Sequence, residues 1–175
     1  MALELLCLDR AALAAAMTDD DTLARHLGVA VVPGWMPDRD ALVVAASAPE
    51  GPWGAYALVD RDAGGVVGNA GFFGPPSDRG EVELGYAVAA SLRGRGIATA
   101  AVEALVTRAW AEPAVVAVIA RSLASNGASR RVLDKAGFVE VGSSSEQEGE
   151  LVHHRLERGA VAPLSRRAPR DRGSR

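Results

Sequence analysis

The alternation of hydrophobic and polar positions changes period several times along the chain, and each change predicts an element. Residues 3 to 8 form an apolar run that reads as a first strand, and Asp9 can cap an alanine-rich helix reaching about Met17. A second short helix is expected after Asp19-Asp20-Asp21, and Asp38 can start another toward Ala48, past the breaks at Pro33-Gly34 and Pro37. Strand-like runs follow at Trp53 to Val59, Val66 to Phe73 and Glu81 to Val88, separated by turn-rich segments, which suggests an antiparallel meander.

From Ile97 to Trp110 the period becomes helical. Apolar residues recur at Ile97, Ala101, Val102, Leu105, Val106 and Ala109, and Pro113 marks the end. Val115 to Ala120 is uniformly apolar, as a centrally buried strand would be, and Asn126 can cap a helix that stops at Gly137. Phe138 to Val141 and Leu151 to Leu156 complete the strands, and the polar run Ser143 to Gly149 between them reads as a mobile loop.

Between the third of the meander strands and the long helix lies Arg93-Gly94-Arg95-Gly96-Ile97-Ala98. Two nearby glycines let the backbone approach an anion, and a helix N-terminus presents unpaired N–H groups and a positive dipole end to it. The segment therefore predicts a phosphate cradle. A dinucleotide-binding reading fits poorly, because Thr99 stands where a third glycine is needed and several residues separate Val88 from Gly94. A Walker-type loop is absent from the sequence.

Read as Arg93-x-x-Gly96-x-Ala98, the loop resembles the acetyl-coenzyme A signature of the Gcn5-related N-acetyltransferase (GNAT) superfamily. Glu83-Leu84-Gly85-Tyr86-Ala87-Val88 resembles its fourth strand, and Asn126-x-x-Ser129-x-x-x-Leu133-x-Lys135-x-Gly137-Phe138 its following helix and turn. The pattern is most similar to the branch of ribosomal-protein alanine N-acetyltransferases. The resemblance implies an α/β (α+β) fold: a central mixed, mostly antiparallel sheet of about six to seven strands flanked by helices. It also implies acetyl-CoA as cosubstrate, no metal, and a primary amine as acceptor, either a small molecule or a protein N-terminus. Cofactor contacts are expected from Val88, Ala89, Ala90, Arg93, Gly94, Arg95, Gly96, Ile97, Ala98, Thr99 and Asn126. In relatives the thioester carbonyl is held by a backbone N–H where the fourth strand splays from its neighbour, the position of Val88 here. A bulge in that strand would free such a donor.

Strand alternation places Glu81 and Glu83 on one face and Val82, Leu84, Tyr86 and Val88 on the other. Glu83 is the first candidate to take the amine proton and Glu81 the second. Many relatives protonate the leaving sulfur with a tyrosine on the helix after the fifth strand. That helix has no tyrosine here, which leaves Ser129 as the candidate donor. A non-catalytic acyl-CoA sensor is the alternative that these residues also allow.

Composition narrows the rest. The chain has 175 residues, 49% of them hydrophobic, enough for one substantial core. Residues 1–158 are expected to form the acetyltransferase domain. Residues 159–175 carry five arginines (Arg166, Arg167, Arg170, Arg172, Arg175) against Asp171, so this tail is +4 and the body, from a net charge of -3, is -7. An acidic body suits a cationic amine and disfavours nucleic acid as the main ligand, while the tail reads as disordered. No apolar run is long enough to span a bilayer and no basic segment precedes one at the start, so a cytoplasmic protein with no membrane partner is expected; a homodimer is compatible with this reading.

The single cysteine, Cys7, lies in an apolar run and is expected to be buried. His153 and His154 should face opposite ways on a late strand, in structural roles. Trp35 and Trp53 either line a substrate mouth or pack in the core.

Overall fold

The structure, a computed structural model, describes residues 3–36, 51–147 and 149–159. The helix expected from Asp38 and the tail from residue 160 lie outside the described residues. Seven strands form one sheet in the order β1-β2-β3-β4-β5-β7-β6. They are β1 (Leu3–Cys7), β2 (Ala55–Asp60), β3 (Gly65–Phe72), β4 (Glu81–Val88), β5 (Ala117–Leu123), β6 (Val139–Glu146) and β7 (Gly149–Glu157). Every neighbouring pair is antiparallel except β4 and β5. Four α-helices flank the sheet among the described residues: α1 (Arg10–Thr18), α2 (Asp20–Leu27), α3 (Ile97–Trp110) and α4 (Gly127–Lys135).

The caps are those the sequence offers. Asp9 accepts from the Ala12 N–H at 2.8 Å, Asp19 from the Thr22 N–H at 2.6 Å, and Asn126 from the Ser129 N–H at 3.1 Å. Alternation then splits the core between the two faces of the sheet. On one face Tyr56, Leu58, Val82, Leu84 and Val118 pack with Ile97, Leu105 and Leu133 of α3 and α4. On the other, Ala57, Val59 and Val66 pack with Leu8, Leu13 and Leu23. Trp35 belongs to this second cluster, only 2% exposed, with its indole N–H donating to Asp20 at 3.1 Å; it is a core residue. Trp53 is partly buried and meets Phe72 edge to face, with ring centres 5.1 Å apart.

Arg158 fastens the end of α3. Its guanidinium donates to the carbonyls of Trp110, Glu112 and Val115, which neutralises a cluster of oxygens left by the helix end and the turn after it.

Three expectations are corrected. The polar run Ser143 to Gly149 is not a loop: β6 continues to Glu146, β7 begins at Gly149, and Ser143, Ser144 and Ser145 pair with Val152, Leu151 and Glu150. Because β6 is an edge strand and exposed along most of its length, it needs no apolar residues to pair. Cys7 is exposed rather than buried, since β1 is the opposite edge and an apolar run does not reveal that its strand lies there. β4 itself carries no bulge: its register with β3 is continuous from Leu84 to Val88, and the irregularities fall at Leu58/Val59 and Glu140/Gly142.

Candidate active site

The site begins where the parallel pairing stops. β4 and β5 share rungs from Glu81↔Ala117 to Leu84↔Ala120, after which β4 continues to Val88 paired only with β3 and β5 to Leu123 paired only with β7. The sheet therefore opens between them. Hydrogen-bond parity fixes which backbone groups face this opening. The Phe73 N–H donates to the Glu83 carbonyl and the Ala89 N–H to the Val67 carbonyl, so odd-numbered residues of β4 turn their backbone groups to β3. Tyr86 and Val88 consequently point theirs to the side where, among the described residues, no strand stands. Divergence of the two strands, rather than a bulge, is what turns the Val88 N–H toward this opening.

Past β4 the chain makes a single 3-10 turn, Ala90–Leu92, and then enters Arg93-Gly94-Arg95-Gly96. Gly94 and Gly96 adopt φ of 79° and 83°, a left-handed conformation costly for any residue with a side chain. Gly96 is the N-cap of α3, and no side chain caps this helix. Its first intrahelical bond runs from the Ala100 N–H to the Gly96 carbonyl, which leaves the N–H groups of Ile97, Ala98 and Thr99 ahead of the ladder. The first turn contains no acidic residue, and Arg93 and Arg95 are both exposed. Such an end receives an anion well. Ile97 anchors it, being 2% exposed in the core beneath.

Glu83 and Glu81 lie on the sheet face opposite α3 and α4, and both are paired. The Arg121 Nε donates to Glu83 at 2.6 Å, and Arg155 donates to Glu81 at 2.5 Å and to Glu157 at 2.5 Å. Glu83 is partly shielded, with its side chain 22% exposed. Its Oε1 takes the guanidinium, and among the described residues no other hydrogen bond engages the carboxylate.

On the α3 and α4 face, Ser129 in the first turn of α4 meets Tyr86. The two hydroxyl oxygens are 2.9 Å apart, and the Ser129 carbonyl, 3.2 Å from the Tyr86 hydroxyl, is a second acceptor within reach of the phenolic proton. Burial pushes the Tyr86 phenol above its ordinary value, partly offset by the bond to Ser129. Deeper on the same face, His154 bonds to Ser122 at 2.9 Å, and burial holds its imidazole below the usual range. His153 turns the other way and bonds to Ser144 at 2.8 Å. Among the described residues no group of three His, Cys, Asp or Glu side chains could hold a metal ion.

Residues 3–139 match the acetyltransferase (GNAT) domain. The chain belongs to this family. One GNAT relative, the uncharacterised N-acetyltransferase YjdG of Bacillus subtilis (strain 168), is 32% identical over 85 residues; the match spans 49% of this chain and 51% of that protein. The chain thus aligns with about half the length of that curated relative. The aminoglycoside acetyltransferase AAC(6')-Ib, solved in complex with coenzyme A, superposes with a TM-score of 0.61 at 19% identity, covering 90% of this chain and 95% of the other. RimL, a ribosomal L7/L12 α-N-protein acetyltransferase solved with coenzyme A, superposes with a TM-score of 0.63 at 16% identity over 89% of this chain and 93% of its own. These likenesses establish the GNAT fold, a seven-stranded mixed sheet between helices.

Two contacts of this candidate site were not visible in the sequence. Tyr86 alternates onto the apolar face of β4 and so reads as core, while its partner Ser129 is 43 residues away. Arg121 lies within the central strand β5, one residue past its last rung with β4, where nothing in its own segment points to Glu83, 38 residues earlier.

Proposed function

We propose that the protein is an acetyl-CoA-dependent N-acetyltransferase that moves an acetyl group to a primary amine by direct attack on the thioester. The observation that carries this reading is the opening between β4 and β5, with the Val88 N–H turned into it and an uncapped glycine-lined helix N-terminus one short turn further along the chain. The chain offers the fit that a diphosphate-bearing thioester needs. The N–H groups from Gly94 to Thr99, with Arg93 and Arg95, would hold the diphosphate, and Val88, Ala89, Ala90 and Asn126 would hold the arm and carbonyl. Acetyl-CoA supplies the activated acetyl group when bound.

The remaining work falls to side chains. Glu83 is the base of this proposal: Arg121 fixes one carboxylate oxygen and leaves the other to take the proton of the attacking amine, directly or through a water. Glu81 is bound to Arg155 and is the lesser candidate. Ser129 donates to the departing sulfur. A thiolate of pKa about 8.5 leaves readily, so a hydrogen bond to it suffices.

For the acceptor, an α-amino group of pKa about 7.7 to 8.0 is far easier to neutralise at pH 7 than a lysine side chain at about 10.4. A carboxylate base therefore favours a protein N-terminus or a weakly basic small-molecule amine. No helix among the described residues is long and apolar enough to cross a membrane, and we place the reaction in the cytoplasm. The test is thiol release from acetyl-CoA across a panel of N-terminal peptides, aminoglycosides and polyamines. Amine-dependent release supports the reading; tight acetyl-CoA binding with no release for any amine would make the protein a sensor instead.

A further inference from the structure

Ser129 cannot serve a leaving sulfur while its own proton is spent inside the protein, and the neighbouring hydroxyl decides where that proton goes. Tyr86 has one phenolic proton and two acceptors on the same residue, the Ser129 carbonyl at 3.2 Å and its Oγ at 2.9 Å. If the phenol donates to the carbonyl, the Ser129 hydroxyl can donate back to the phenolic oxygen, and its proton points inward. If the phenol donates to Oγ, the Ser129 proton is released to point outward.

We propose that Tyr86 is the positioning residue of the leaving-group site: by donating to the Ser129 Oγ it aims the serine proton at the sulfur of coenzyme A in the opening between β4 and β5. This inference rests on the acetyltransferase reading and adds to it a residue on a different element from Ser129.

Three observations support it. Tyr86 stands at the opening, two residues past the last β4–β5 rung and two before Val88, so both ends of the thioester chemistry are fixed by one strand. Ser129 is itself held, its N–H bonded to Asn126 at the cap of α4, so only its hydroxyl is free to rotate. Burial keeps the phenol protonated, hence a donor, well above neutral pH, and no charged side chain contributes to that shift. The pair acts by hydrogen bonding alone, with no proton leaving either hydroxyl. The titratable groups facing the same way from β7 are His154, bonded to Ser122, and Glu150 at the strand's start; on α4, Arg130 is paired with Glu140 of β6.

The test compares coenzyme A with desulfo-coenzyme A by calorimetric titration between pH 7 and 9.5. In that window His154, held below its ordinary value by burial, stays neutral. A donor aimed at sulfur lowers the thiol pKa in the complex, so the wild type should favour coenzyme A over its desulfo analogue increasingly as pH rises, by about tenfold. Tyr86→Phe and Ser129→Ala should each flatten that rise, and the double variant should lose no more than either alone.

A Tyr86→Phe protein that keeps the wild-type pH dependence, while Ser129→Ala loses it, would overturn the proposal and leave Tyr86 as packing. A wild type with equal affinity for the two ligands at every pH would also overturn it. Failure of both ligands to bind would instead overturn the acetyl-CoA reading, and this inference with it. Unchanged melting temperature in Tyr86→Phe would show that the sheet is intact.

Discussion

Arg121 Nε lies 2.6 Å from Glu83 Oε1, on strands that are parallel neighbours until one residue beyond the carboxylate. The pair therefore sits at the root of the opening in the sheet, and the proposed base is held from the strand that diverges from its own. Such a contact between partly exposed groups contributes little to stability, about 0 to 1 kcal/mol, so its significance lies in orientation.

Orientation gives the first prediction. Glu83→Gln should lower kcat by about 10² to 10⁴ with acetyl-CoA affinity nearly intact, as expected for loss of a general base. Arg121→Gln should lower kcat less, and the double variant should be no slower than Glu83→Gln alone, because the arginine acts through the glutamate. Steady-state kinetics with the best amine of the panel checks this; independent, multiplying losses would show that Arg121 has a role of its own.

The cradle gives the second. Gly96→Val forces a branched side chain into a left-handed position, although a Cβ there meets nothing within 4 Å. The damage should therefore fall on backbone conformation and anion approach, with the packing of α3 retained. Calorimetric titration should show acetyl-CoA affinity falling at least about tenfold, while the melting temperature falls by only a few degrees. Retained affinity would place the diphosphate elsewhere.

A third concerns the close contact that supports Val88. A Cβ added at Gly68 would lie 2.3 Å from the Ala87 carbonyl oxygen and 3.0 Å from the Val88 Cα, both backbone atoms that cannot swing aside. Gly68→Ala should cost about 1 to 3 kcal/mol in chemical denaturation, the usual range for overpacking. It should also weaken acetyl-CoA binding, because relief of the clash moves β4 at its donor. Wild-type stability and binding together would show that β3 and β4 are less tightly apposed.

The buried His154 gives a pH dependence. Burial lowers its folded pKa, so the unfolded chain takes up the proton first as pH falls. Stability should be full above about pH 7 and decline as pH drops through the unfolded value near 6.5 toward the lower folded one. His154→Gln, which retains a hydrogen-bonding partner for Ser122, should reduce that decline. Melting curves from pH 7.5 to 5 read the difference, and equal slopes would assign the decline to other groups.

Much of this molecule is determined by local pattern. The period of apolar residues placed α3 at Ile97–Trp110 and β4 at Glu81–Val88, aspartate caps marked the starts of α1 and α2, and glycine spacing marked the left-handed turn before α3, because each depends on residues within a few positions of one another. Burial and edge position do not. Whether Cys7 is covered, and whether a serine-rich run pairs as a strand, depends on which strands end the sheet, a property of the whole topology.

The site divides in the same way. Sequence determined which residue types were available: two carboxylates on one face of β4, a serine at the start of α4, glycines before α3. Only the tertiary structure decided that β5 leaves β4 after Leu84, that Glu83 is held by Arg121, and that Tyr86 reaches Ser129. The physical reason is range. Dihedral preference and side-chain periodicity act over a few residues and can be read in one dimension, whereas a hydrogen bond between groups about forty positions apart exists only once packing has brought the strands and helices together.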